Sequence, residues 1–61
     1  MTDLTTAHKV CTPNELEAWT LRHRGLSQRA IAIALNISRS SVRARLEEAD
    51  RKITRAKEQA A

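Results

Sequence analysis

Val42, Leu46, Ala49, Ile53 and Ala56 are spaced alternately by four residues and three, which places them on one stripe of a helix. Ahead of them lies an oilier run, QRAIAIAL from Gln28 to Leu35, bracketed by Leu26 and Ile37. β-branched residues nowhere alternate with polar ones in the period of two that a half-buried strand requires. The pattern predicts an all-α chain.

Cap chemistry sets the boundaries. TPNE, Thr12 to Glu15, is a capping box with proline at the first helical position, so a first helix runs from there to about His23. Gly25 follows as a left-handed stop. Ser27 caps a second helix over about Gln28 to Leu35. Asn36, which tolerates positive φ better than most residues, supplies the next turn, and Ser38 caps a third helix. No stop signal precedes the end of the chain, so this helix reaches at least Lys57. Along it, Glu47 with Arg51 and Glu48 with Lys52 are spaced as i, i+4 pairs on the solvent side. The expectation is a compact three-helix domain over 12–58 with a long C-terminal helix, an N-terminal arm over 1–11 and a frayed end over 59–61. Leu26, Ile31, Ala32, Leu35, Ile37, Val42 and Leu46 are the predicted core of the last two helices. Ala18, Trp19 and Leu21 are expected to cover them.

Composition narrows the chemistry. At 61 residues the chain is one domain at most, near the lower limit for folding without a metal or a disulfide. A single cysteine, Cys11, excludes an intramolecular disulfide. A zinc site needs about four ligands, and the nitrogen and sulfur donors are only Cys11, His8 and His23. No metal, cofactor or small-molecule substrate is expected. No apolar run approaches a membrane span or the core of a signal peptide, so the expected setting is cytoplasmic, at the nucleoid. Trp19, the sole aromatic, lies among core positions and is read as core rather than as a base-stacking platform. Cys11 just precedes the Thr12 cap, where a small apolar residue fits as a staple. No nucleophile–base pair, carboxylate dyad or phosphate-cradling glycine loop is present, which argues against an enzyme.

Charge changes the picture further. The net charge is +4, yet from Arg22 to Leu46 there are six arginines and no acid. The segments on either side carry no positive excess. A patch of this kind attracts a polyanion, of which double-stranded DNA is the commonest.

From Cys11 to Ile53 the chain carries TP.E before the first helix, GLS before the second, IA..L.IS across the turn and SVR.RL opening the third. This stretch resembles the helix-turn-helix of sigma-factor region 4 and of LuxR-type response regulators. The resemblance implies a sequence-specific DNA-binding regulator of bacterial or phage character whose third helix enters the major groove. Behind that reading stand a protein-interaction module contacting RNA polymerase or another regulator and, third, a DNA-architectural or recombination accessory protein. The residues fit that placement. Ala32 lies where the two helices approach, and burying Val42 and Leu46 turns Arg39, Ser40, Arg43, Ala44 and Glu47 outward.

Roles follow from that geometry. Arg39 and Arg43 are the leading candidates for base edges, since arginine pairs bidentately with guanine O6 and N7. Ser40 and Ala44 lie beside them, Ala44 suited to a thymine methyl. Glu47 either accepts from cytosine N4 or pairs within its helix, the second being favoured because desolvating a carboxylate beside phosphates is costly. Arg24, Ser27, Gln28, Arg29, Ser38, Ser41 and Arg45 are the phosphate candidates.

The chain also departs from the family pattern. Asn36 stands in place of the usual turn glycine, and Ala30 and Ile33 stand where charged residues are usual. Ile53 and Ala56 extend the third helix's stripe beyond what two helices cover, unless Leu4 and Val10 fold back over it. These four apolar residues, Ala30, Ile33, Ile53 and Ala56, are the expected partner surface. The expected occupant is a second copy in a homodimer, or RNA polymerase or another regulator.

Overall fold

The computed structural model describes the backbone of residues 3–60 and the side chains of residues 4–59. Within them the chain is all α: α1 (Asp3–Val10), α2 (Pro13–His23), α3 (Gln28–Leu35) and α4 (Arg39–Ala60). The molecule measures 36 × 18 × 16 Å, and its long dimension matches α4, whose 22 residues at 1.5 Å each span about 33 Å. The other three helices all pack against α4. No helix among the described residues is long and apolar enough to cross a membrane.

Each turn is closed by local chemistry. At the start of α2 the Thr12 amide donates to Glu15 Oε1 at 3.0 Å, and the Glu15 amide donates to Thr12 Oγ1 at 3.3 Å. At its end Gly25 sits at φ 99°. The Gly25 amide donates to Arg22 O at 2.9 Å and the Leu26 amide to Leu21 O at 3.3 Å. The same pair of bonds closes α3, from Asn36 to Ile33 O and from Ile37 to Ala32 O, with Asn36 left-handed at φ 58°, ψ 48°. Both ends are Schellman motifs. In each, the residue after the left-handed one, Leu26 or Ile37, turns back against the core.

The core runs along one side of α4. Val42, Leu46, Ala49 and Ile53 are buried with Ala18 and Trp19 of α2, Ile31 and Ala32 of α3, and Ala7 of α1. Ile31, Val42 and Leu46 are the largest fully buried side chains, each contributing about 1.5–3 kcal/mol of transfer free energy. His23 stacks on Trp19 with ring centroids 3.8 Å apart and sets Nδ1 3.0 Å from the Trp19 carbonyl.

Two expectations are corrected. Residues 3–10 form α1, a fourth helix, rather than an arm; Met1 and Thr2 lie outside the described residues. Eight residues are too few for an isolated helix to persist in water, so α1 owes its existence to packing through Ala7. Ile53 is only 5 % exposed, so it lies in the core cluster and not on a partner surface. α4 is helical through Ala60, and residue 61 lies outside the described residues.

Candidate nucleic-acid interface

α4 begins at a serine cap. Ser38 Oγ accepts from the Ser41 amide at 3.1 Å and donates to Ser41 Oγ at 3.0 Å. From that start, Val42 and Leu46 face the core, while Arg39, Ser40, Arg43, Ala44 and Glu47 are all exposed. Ser41 and Arg45, on the flank of the helix, are half-buried. The expected base-contacting residues thus share the outward side of one rigid helix.

Arg43 and Glu47 meet within that face. Arg43 Nε donates to Glu47 Oε2 at 3.1 Å, with the two side chains 72 % and 61 % exposed. At such exposure the pair contributes a few tenths of a kcal/mol. Its geometric effect matters more. The carboxylate occupies Nε and leaves both Nη amines, the outer edge of the guanidinium, for another acceptor.

The expected phosphate contacts lie at the other end of the unit. Ser27 Oγ accepts from the Ala30 amide at 3.1 Å, which leaves its hydroxyl hydrogen for an outside acceptor. Gln28, Arg29 and Arg24 are exposed. Ser38 spends its hydrogen on Ser41, so Ser41 rather than Ser38 keeps a donor there.

Ion pairs divide the arginines. Arg22 Nη2 donates to Asp50 Oδ1 at 2.7 Å and joins α2 to α4. Arg51 pairs with Glu48 at 2.6 Å and Lys52 with Glu15 at 2.8 Å. The expected Glu47–Arg51 and Glu48–Lys52 pairs are replaced by these. Glu15, already fixed by the cap and only 14 % exposed, offers Lys52 an acceptor that needs no further ordering, and Glu48 turns to Arg51. Among the described residues Arg24, Arg29, Arg39, Arg45 and Arg55 form no ion pair. Four of them belong to the acid-free segment from Arg22 to Leu46. Arg55 carried no sequence signal beyond its charge.

Glu15 and Lys52 shift in opposite directions. Partial burial pushes the Glu15 carboxyl up, but hydrogen bonds from Lys52 and Thr12, with the Lys52 charge, outweigh it and hold the carboxyl below its ordinary value. The hydrogen bond to Glu15 holds Lys52 above its own. Burial, then the Glu15 charge, raise the Cys11 thiol, which keeps it protonated and a poor nucleophile. Cys11 and Leu16, the staple positions around the α2 cap, both pack against the core. Among the described residues no three of His, Cys, Asp and Glu gather where they could hold a metal ion.

Of the expected partner surface, Ala30 and Ala56 are half-buried and Ile33 is 73 % exposed. Ile33 lies in a groove lined by Arg29, Ala32, Asn36, Ile37 and Arg39. No family model, curated protein or solved structure matches this chain.

Proposed function

We propose that the chain binds double-stranded DNA in a sequence-specific way, laying the N-terminal half of α4 in the major groove. What supports the reading is the outward face of that half. Arg39, Ser40, Arg43 and Ala44 are exposed together on a helix whose orientation is fixed by burial of Val42 and Leu46. A major groove about 12 Å wide admits a helix, and the three-residue turn before α4 is the length a helix-turn-helix uses. Arg43, with Nε held by Glu47, presents the two amines that match guanine O6 and N7. Glu47 then orients Arg43 rather than reading a base itself. The unpaired Arg24, Arg29 and Arg45 supply phosphate contacts, which position the domain without reading sequence. The resemblance to sigma-factor region 4 and LuxR-type domains points to transcriptional regulation as the use of such binding.

The reading is tested by titrating the chain onto duplex DNA across a salt series, after selecting bound duplexes from a random library. Affinity should fall with a log–log slope of about −0.9 per neutralised phosphate, so several units in all. Arg43→Ala should weaken the selected site by about 1–3 kcal/mol and relax preference at one position. Arg29→Ala should weaken selected and random duplexes alike. No binding at low salt rejects the proposal, and equal, sequence-blind losses from both variants reject the division of roles.

A further inference from the structure

We propose that the groove between the outer side of α3 and the first turn of α4 docks an acidic peptide segment. That segment carries one large apolar side chain flanked by carboxylates. Ile33 is 73 % exposed in the middle of a helix whose buried face is already supplied by Ile31 and Ala32. The opposite side of a surface helix is ordinarily polar. Position 33 is also one helical turn beyond Arg29, where a glutamate would pair with that arginine. Here the position is apolar, and Arg29 is left unneutralised.

The groove has two chemistries. Its apolar lining, called the floor below, is Ala32, Ile33 and Ile37, and its basic lining, called the rims, is Arg29 and Arg39. Among the described residues neither rim arginine forms an ion pair, and no acid occurs from Arg22 to Leu46 to supply one. An occupant must satisfy both parts at once. A duplex backbone meets the arginines but sets charged phosphates and water beside Ile33, so it gains nothing from the apolar floor. A second copy of this chain meets the floor but sets its own basic groove against this one. A peptide with an apolar anchor between carboxylates matches floor and rims together. Single apolar anchors between charged contacts are a common way for a short segment to gain both affinity and register.

Arg29 and Arg39 also belong to the DNA-contacting set, so an acidic peptide in the groove would compete with duplex. That competition rests on the DNA-binding reading; the docking does not.

The probe is a random library of short displayed peptides, selected against the immobilised full chain. Acidic peptides with a single Leu, Ile, Phe or Trp between Asp or Glu residues should be enriched. Because Ile33 is exposed, Ile33→Ser should leave the helical circular-dichroism spectrum unchanged. It should weaken the enriched peptides about tenfold, the loss expected from one unburied aliphatic side chain. Arg29→Ala and Arg39→Ala should each weaken them and flatten their salt dependence. The docking proposal is overturned if acidic peptides are not enriched, or if they bind Ile33→Ser as well as the parent chain. It is overturned in favour of DNA if nothing acidic is enriched and Ile33→Ser instead weakens duplex binding. It is overturned in favour of a second copy if Ile33→Ser instead abolishes concentration-dependent association of the free chain. Enriched, Ile33-dependent peptides that fail to displace a labelled duplex uphold the docking and refute the competition. The same peptides on a chain that binds no duplex at low salt uphold the docking and refute the DNA-binding reading alone.

Discussion

Asn36 holds the turn between α3 and α4 at φ 58°, and the path of the chain into α4 runs through that one residue's conformation. Its left-handed geometry allows the Asn36 and Ile37 amides to reach back to Ile33 O and Ala32 O. A residue with a Cβ and no local polar compensation loses about 1–2 kcal/mol in that region. Asn36→Ala should therefore destabilise the chain by about 1 kcal/mol, and Asn36→Gly should be nearly neutral, because glycine's freedom in the unfolded chain offsets its ease in the turn. Urea denaturation of the two variants checks this; equal losses would mean the turn does not require positive φ. Such residues are legible in sequence because their chemistry is local. Thr12, Ser27, Ser38, Gly25 and Asn36 declare themselves within a few positions of the groups they bond. Lys52 does not, because its partner Glu15 is 37 residues away and depends on which helices meet.

The helices divide along the same line. α3 and the stripe of α4 were legible because apolar spacing and caps agree. α1 was not, since among the described residues it buries one small side chain, Ala7. Only the uncovered end of the α4 stripe hinted that something must fold over Ile53. Between α2 and α4 the Lys52–Glu15 contact at 2.8 Å joins the α2 cap to the middle of α4. Because Glu15's folded pKa lies below its ordinary 4.5, its ionised form stabilises the fold. That stability is fully present above the unfolded value and is lost as pH falls through the lowered folded one. Lys52, raised above 10.5, contributes below its unfolded value and loses its share as pH rises through the folded one. The stabilisation is thus complete from about pH 4.5 to pH 10.5 and declines on either side, as pH moves toward the folded-state values. Glu15→Gln keeps a capping group and removes the charge. Thermal melts of the parent and this variant should differ by a constant amount near neutrality and converge in acid. A gap that persists unchanged below the carboxylate range would assign the effect to packing instead.

At the scale of the molecule, one long helix serves both ends of the design. Beyond its midpoint it is tied to α2 through Arg22–Asp50 and Glu15–Lys52, and its N-terminal half carries the outward Arg39 and Arg43. A domain this small has about 3–9 kcal/mol of stability to lose, so a single core truncation reaches function without touching the interface. Ile53, 5 % exposed, lies at the tied end. Ile53→Ala should cost about 2–4 kcal/mol, seen as a lower urea midpoint. A residue on a dimer interface would behave differently: its truncation would lower the association constant and make the loss depend on protein concentration. Burial in the core of the single chain predicts a loss of stability independent of concentration, with sedimentation of the folded fraction unchanged. If the chain binds duplex as proposed, affinity per folded molecule should also be preserved, since the outward face of Arg39 and Arg43 is set by Val42 and Leu46 at the other end. A concentration-dependent loss would mean that α1 opens in solution and that α4's apolar stripe is shared between copies.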